Sequence, residues 1–245
     1  MLSKRGQVTL FVILAIVIVA GIIVFFSFRN NFQIKPSIPT TIQPIHSFVQ
    51  DCLEETSENS LIRIGNRGGY FLIFDEPSIE GRIPYYLQGT QKTIPTQEEI
   101  EQNLAGFVYE ELSFCILNFK DFRDEFEIEH DLENVNSQIL DNQVRFALDY
   151  PVTISKIGSE TTYQLKDFEI NIPIRLNRIY QVSEEIVQEQ AQHPESICLS
   201  CLYDLGENYN VHIDMLDYGN STIFTIIDDN SKINNQSYEW SFAVE

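Results

Sequence analysis

The sequence predicts an α+β protein: a single N-terminal transmembrane helix followed by an ectodomain of about three helices packed on antiparallel sheet. Three observations predict it. Val8 to Phe28 is a near-continuous apolar run. Three later stretches repeat their apolar residues at helical spacing. Between and after them the pattern switches to the alternation that belongs to strands.

The apolar run comes first. At about 1.5 Å of rise per residue it matches the roughly 30 Å hydrocarbon core of a bilayer. Thr9 and Ser27 are its only hydroxyls, and Lys4, Arg5 and Arg29 flank it. The basic, acid-free tail before it is kept inside by the positive-inside rule. Residues 1–7 are then a cytoplasmic stub, 8–28 the transmembrane helix, and the C-terminal remainder is extracytoplasmic. A cleaved secretory signal has a shorter apolar core and a small-residue cleavage site, whereas this run ends in FFSFRNN. The expected location is the cell membrane, single-pass, with the lipid bilayer as the partner of residues 8–28.

Residues 29–44 read as a linker whose Pro36, Pro39 and Pro44 favour extended backbone. Residues 45–245 form the acidic α+β extracytoplasmic domain. Its first helix runs from Ile45 to about Ile62–Gly65, with Phe48, Val49, Cys52, Leu53 and Thr56 on one face. Gly65-Asn66-Arg67-Gly68-Gly69 is a turn feeding a strand at 70–74. It lacks the GK[ST] ending of a phosphate loop, so glycines serving a helix exit are the simpler expectation. Residues 75–95 read as an irregular excursion in which Ile83 to Leu87 make a short edge strand whose aromatics cap a core or line a surface.

The second helix is announced by Thr96-x-x-Glu99, a capping box, and its face is Ile100, Leu104, Phe107, Val108, Leu112, Cys115 and Phe119. Alternation then predicts strands at 126–129, 135–139, 144–148 and 163–174, assembled as an antiparallel meander. A third helix spans Leu176 to Gln192 and is broken by Pro194, with one more helical turn between Ser196 and Leu205. Strands at 210–216, 222–228 and 238–244 close the chain as a three-strand unit, with Asp228-Asp229-Asn230-Ser231 between the last two.

Charge excludes some partners. Three of the 16 basic residues and none of the 36 acidic ones lie in residues 1–29, so the ectodomain is strongly anionic. Such a field repels nucleic acid, and none is expected as a partner.

No catalytic, cofactor or metal set is expected. The four histidines, His46, His130, His193 and His212, fall in no two-ligand spacing. The acidic run 121–131 mostly alternates outward along a strand, and Asp228 to Ser231 lacks the spacing of a calcium loop. Cys52, Cys115, Cys198 and Cys201 allow three disulfide pairings. Cys52 and Cys115 each lie on the apolar face of a predicted helix, which suits a helix-to-helix staple if the backbones approach within about 7 Å. Cys198-Leu199-Ser200-Cys201 is a C-x-x-C that serves either as a second structural disulfide or as a redox pair at a helix start. A zinc site would need two further ligands. Asn220-Ser221-Thr222 and Asn235-Gln236-Ser237 are glycosylation acceptors in predicted turns.

Lys4-Arg5-Gly6-Gln7, directly before a long apolar helix, resembles the leader of archaeal type IV pilin-like proteins. The resemblance implies cleavage between Gly6 and Gln7 by a pilin-type peptidase. Two departures stand out: Phe11 occupies the position where many pilins carry a glutamate, and the prolines after the run interrupt a continuous spine. The wider layout, with KRGQVTLF, SFVQDCLEE, GGYF and a final EWSFAVE, is similar to uncharacterised single-pass archaeal surface proteins. The expected function is that of a membrane-anchored extracytoplasmic protein serving envelope structure, adhesion or ligand binding, with a protein or glycan partner at the cell surface. The alternatives are a pilin-like filament subunit processed before Gln7, and an extracytoplasmic enzyme or thiol oxidoreductase using Cys198 and Cys201.

Overall fold

The computed structural model describes Leu14, Ile18, Val19 and residues 38–72 and 77–245. The chain divides into two units, Met1–Thr40 and Thr41–Glu245. In the first, Leu14, Ile18 and Val19 are helical and exposed. The rest of the predicted span 8–28, and Gly6 and Gln7, lie outside the described residues. No helix among the described residues is long and apolar enough to cross a membrane.

The second unit is α+β, with four helices on antiparallel-rich sheets. α1 (Gln43–Gly65) begins two residues earlier than the apolar pattern indicates, because Pro44 sits in its first turn, where a missing N–H costs nothing. Pro44 is therefore part of the helix and not of the linker. α1 buries Ile45, Val49, Cys52, Leu53, Leu61 and Ile64. The buried hydroxyl of Thr56 donates to Cys52 O (2.8 Å), and that of Ser60 to Ser57 O (2.9 Å), so neither is left unpaired in the interior. Beyond α1, Tyr70 to Leu72 form no strand. The turn before them explains why: Gly68 and Gly69 have positive φ, and Gly69 N–H donates to Ile64 O (2.9 Å), a helix-terminating turn that folds the chain back onto the sheet.

β1 (Ser78–Ile79), β2 (Ile83–Gln88) and β3 (Gln91–Lys92) follow. β2 is not an edge strand as the sequence pattern indicates. It pairs with β1 and β3 on one side and runs parallel to the last strand on the other. Tyr86 is fully buried, donating its hydroxyl to Gly68 O (2.7 Å).

α2 (Gln97–Ile116) starts on the capping box: Thr96 Oγ1 accepts from Glu99 N–H (3.2 Å), and Glu99 Oε2 accepts from Thr96 N–H (2.7 Å). Its end is less regular. Leu117, Asn118 and Phe119 all take left-handed backbone, which costs an L-residue about 1–2 kcal/mol each. The turn delivers Phe119 into the core against Phe48, His130 and Tyr150, and that burial offsets the strain.

The expected meander is present but broken across its middle. β4 (Phe126–His130) and β5 (Asn134–Ile139) lie along β7 (Val152–Lys156) and β6 (Val144–Asp149), which lie along β8 (Thr162–Leu165) and β9 (Phe168–Ile172). The result is two three-stranded antiparallel sheets, β4-β7-β8 and β5-β6-β9. Pro151 sits at the break between the end of β6 and the start of β7, where it has no N–H to give to a flanking strand. β7, absent from the sequence expectation, is the continuation of β6 past this proline.

α3 (Leu176–Gln192) and α4 (Leu199–Tyr209) come next, the latter longer than the single turn expected. β10 (His212–Tyr218), β11 (Ser221–Ile233) and β12 (Gln236–Val244) complete the sheet β1-β2-β12-β11-β10, in which Trp240, Phe242, Phe224 and Tyr86 are buried together. Phe242 stacks on Tyr86 (4.5 Å between centroids) and on Phe224 (5.6 Å). Among the described strands β10 is one edge of the sheet, and its Asp214 and Asp217 oppose edge-to-edge pairing.

Candidate functional site

All four cysteines are paired. Cys52 and Cys115 join α1 to α2 with their Cα atoms 5.7 Å apart. Cys198 and Cys201, Cα atoms 5.2 Å apart, close the first turn of α4. The two bridges differ in setting: Cys52 is 2% exposed, whereas Cys198 and Cys201 are both half-buried.

Among the described residues, one group of three or more His, Cys, Asp or Glu side chains could share a metal ion: Glu189, Cys198 and Cys201, whose ligand atoms lie within 4.8 Å of one another. It forms at the joint between α3 and α4. α3 ends at His193, whose N–H still donates to Glu189 O (3.0 Å). Pro194 cannot continue the helix. The chain reverses through Ser196, whose N–H donates to His193 O (3.3 Å), while Gln190 Nε2 donates to the same oxygen (3.2 Å). Cys198 therefore caps α4 directly over the last turn of α3, and its Sγ accepts the N–H of Cys201 (3.3 Å).

Glu189 faces this pair. Its Oε1 lies 3.8 Å from Cys201 Sγ, a contact without a hydrogen bond because a disulfide sulfur carries no proton. The same oxygen lies 3.6 Å from His193 Nε2, one helical turn on. Carboxylate and both sulfurs thus meet at one partly solvated point, with the His193 imidazole against the far side of the carboxylate contact. Beside it, α4 and β10 border an open groove of about 330 Å³ that includes Leu199, Tyr203, Ile213 and Met215.

Elsewhere the polar groups singled out in the sequence serve packing. Asp228 is not in a loop between strands but inside β11, where the pairing with β12 shifts register between Asp228 and Lys232. It is fully buried and bidentate to Arg175, with Nε donating at 2.9 Å, and it also accepts from the Ser231 hydroxyl and the Asn230 N–H. Burial alone would raise its pKa, but these hydrogen bonds together hold it below the usual carboxylate range. Its oxygens are committed, so they do not form a calcium loop. The glycines of the turn after α1 pack against β12: a Cβ on Gly65 would stand 2.4 Å from Glu239 O.

The histidines stay apart. His46 stacks on Phe168 (5.2 Å), His130 meets the Tyr150 hydroxyl through Nδ1 (3.0 Å), and His212 pairs with Asp214 (2.9 Å). Burial lowers the pKa of both His46 and His130. Glu127 and Glu129 alternate outward on β4. Asn220 and Asn235 are exposed in the β10–β11 and β11–β12 turns.

Sequence reasoning missed Glu189 and His193. The signal was available as E-x3-H-x4-C-x2-C: four-residue spacing on a helix followed by a proline stop, which folds the cysteines back over the helical end. No protein-family model, curated protein or solved structure matches this chain.

Proposed function

We propose that the chain is a single-pass membrane protein whose acidic α+β domain works outside the cytoplasm, in envelope structure, adhesion or ligand binding. The observation that carries this reading is the Cys52–Cys115 disulfide. A bridge buried between two core helices suits a domain that folds in an oxidising compartment. The apolar run at 8–28, its basic inner flank and the likeness to single-pass archaeal surface proteins supply the tether. The chemistry-bearing residues 175 and 228 are spent on packing, which favours a binding or structural role over catalysis. Protease shaving of intact cells should release the domain from about residue 40 onward. Protection from protease in intact cells, with digestion after lysis, would refute the topology.

A second reading, a pilin-like filament subunit, is favoured by Lys4-Arg5-Gly6-Gln7. Mass spectrometry of the mature N-terminus decides: a chain starting at Gln7 supports processing, and a retained Met1 or Leu2 supports a plain anchor. A third, thiol oxidoreductase, is favoured by the placement of Cys198 at the start of α4. It requires that the pair exchange rapidly with a dithiol, and sluggish exchange under native conditions removes it.

A further inference from the structure

We propose that Glu189, His193, Cys198 and Cys201 form a zinc site that is closed by the Cys198–Cys201 disulfide and opened by its reduction. Zn2+ favours four ligands in a tetrahedron drawn from Cys sulfur, His nitrogen and carboxylate oxygen, with Zn–S near 2.3 Å and Zn–O or Zn–N near 2.0–2.2 Å. Ligand atoms around such an ion lie roughly 3.3–3.8 Å apart along the tetrahedral edges. The Glu189 Oε1 to Cys201 Sγ distance is 3.8 Å and the Glu189 Oε1 to His193 Nε2 distance is 3.6 Å, so two edges are already close to that length. The sulfur-to-sulfur edge is held short by the covalent bond, and the His193 ring has to turn toward the sulfurs to complete the set.

Reduction relaxes that edge. A dithiol supplies the electrons: one of its thiolates attacks a sulfur of the pair and the S–S bond breaks. Its second thiol then resolves the mixed disulfide, leaving the reductant as a disulfide and Cys198 and Cys201 as two thiols. Unbonded sulfurs separate toward van der Waals contact, which is near the tetrahedral edge. Zn2+ then displaces one proton from each thiol, giving a dithiolate site whose charge is balanced to −1 by the metal and the Glu189 carboxylate.

Three local features prepare the site. The Cys201 N–H already points at Cys198 Sγ, and a thiolate gains more from that donor and from the α4 N-terminus than a disulfide sulfur does. Glu189 touches both the sulfur and the imidazole. The His193 side chain is 62% exposed, free to turn its ring into the fourth position. The core bridge takes no part, because Cys52 and Cys115 lie in α1 and α2 and Cys52 is shielded from reductant.

The test uses the full chain in detergent, reduced by a water-soluble phosphine, desalted, and checked by mass spectrometry to hold one disulfide at Cys52–Cys115. Titration with Zn2+ against a chromophoric chelator should give one tight ion per chain after reduction and none before it. Co2+ in place of Zn2+ should give thiolate-to-metal charge-transfer absorption. Cys198→Ser with Cys201→Ser should abolish both signals, and Glu189→Gln or His193→Ala should each weaken Zn2+ by about tenfold or more. Circular dichroism establishes that these surface variants stay folded. The proposal is overturned if the reduced chain binds no Zn2+, if the unreduced chain binds it equally, or if Glu189→Gln combined with His193→Ala leaves the affinity unchanged.

Discussion

Removing the Cys52–Cys115 bridge should cost the fold at least twice what removing Cys198–Cys201 costs. The first bridge spans a sequence separation of 63 and the second a separation of 3. In the chain-entropy account, opening the longer loop lowers stability by about 4 kcal/mol and opening the shorter by about 2 kcal/mol. For a domain of about 200 residues the unfolding entropy is near 0.4 kcal/mol/K, so the melting temperature should fall by about 10 °C and about 5 °C respectively. Paired Cys→Ala variants are the right perturbation, because serine at position 52 would bury a hydroxyl in the α1–α2 interface. The single tryptophan, Trp240, is fully buried in the β-sheet core and reports unfolding by fluorescence in both variants. A C198A/C201A variant that melts as low as C52A/C115A, or lower, would refute the assignment of the long bridge as the main staple.

Thr96→Ala should cost about 1 kcal/mol in denaturant titration, through loss of the cap on α2. Glu99→Gln should cost less, since the Thr96 hydroxyl still meets the Glu99 N–H. Asp228→Asn leaves Arg175 without its anion and should destabilise by about 3–5 kcal/mol at neutral pH, read from the denaturant midpoint. Because the folded pKa of Asp228 is held below its unfolded value, its contribution is present above the ordinary carboxylate range and is lost as pH falls through the folded pKa. The wild-type midpoint should therefore fall more steeply in acid than that of Asp228→Asn, and parallel acid limbs would contradict this. Gly65→Ala should cost about 1–3 kcal/mol, because its Cβ would meet Glu239 O at 2.4 Å. By contrast, Gly106→Ala should stabilise by up to about 1 kcal/mol, since Gly106 lies within α2 with open space where a Cβ would sit. Equal thermal shifts from the two glycine variants would contradict the packing argument.

Periodicity made the helices legible because each needs only local information. Leu176 to Gln192 is visible in the sequence as an apolar stripe bounded by a proline, and Thr96 with Glu99 marks the start of α2 without any tertiary input. The strands were harder, and for a physical reason. β2 has an apolar pattern too short to reveal that β12 would lie parallel to it from the far end of the chain. Nor does the aromatic pattern of the predicted strand show that Gly68 and Gly69 turn residues 70–72 aside. The register shift at Asp228 was invisible because its partner, Arg175, lies just before α3, and a buried ion pair across such a separation leaves no spacing signature. The same limit hid the cluster of Glu189, Cys198 and Cys201: the C-x-x-C was visible, but nothing in the local pattern tied it to a glutamate nine residues before it. Only the reversal at Pro194 brings the two together.

The parallel pairing of β2 with β12 also sets an order of events in biosynthesis. Tyr86 reaches its final environment only against Phe242, and Glu245 N–H donates to Leu87 O (3.0 Å) while Gly89 N–H donates to Glu245 O (3.1 Å). At elongation rates of about 5–20 residues per second, β2 waits on the order of ten seconds for the strand that covers it. Through that interval its exposed side can recruit a neighbouring nascent chain, and the short strands β1 and β3, both made within a few residues of β2, guard only its opposite side. The domain is thus one whose central sheet closes last, by capture of its newest strand.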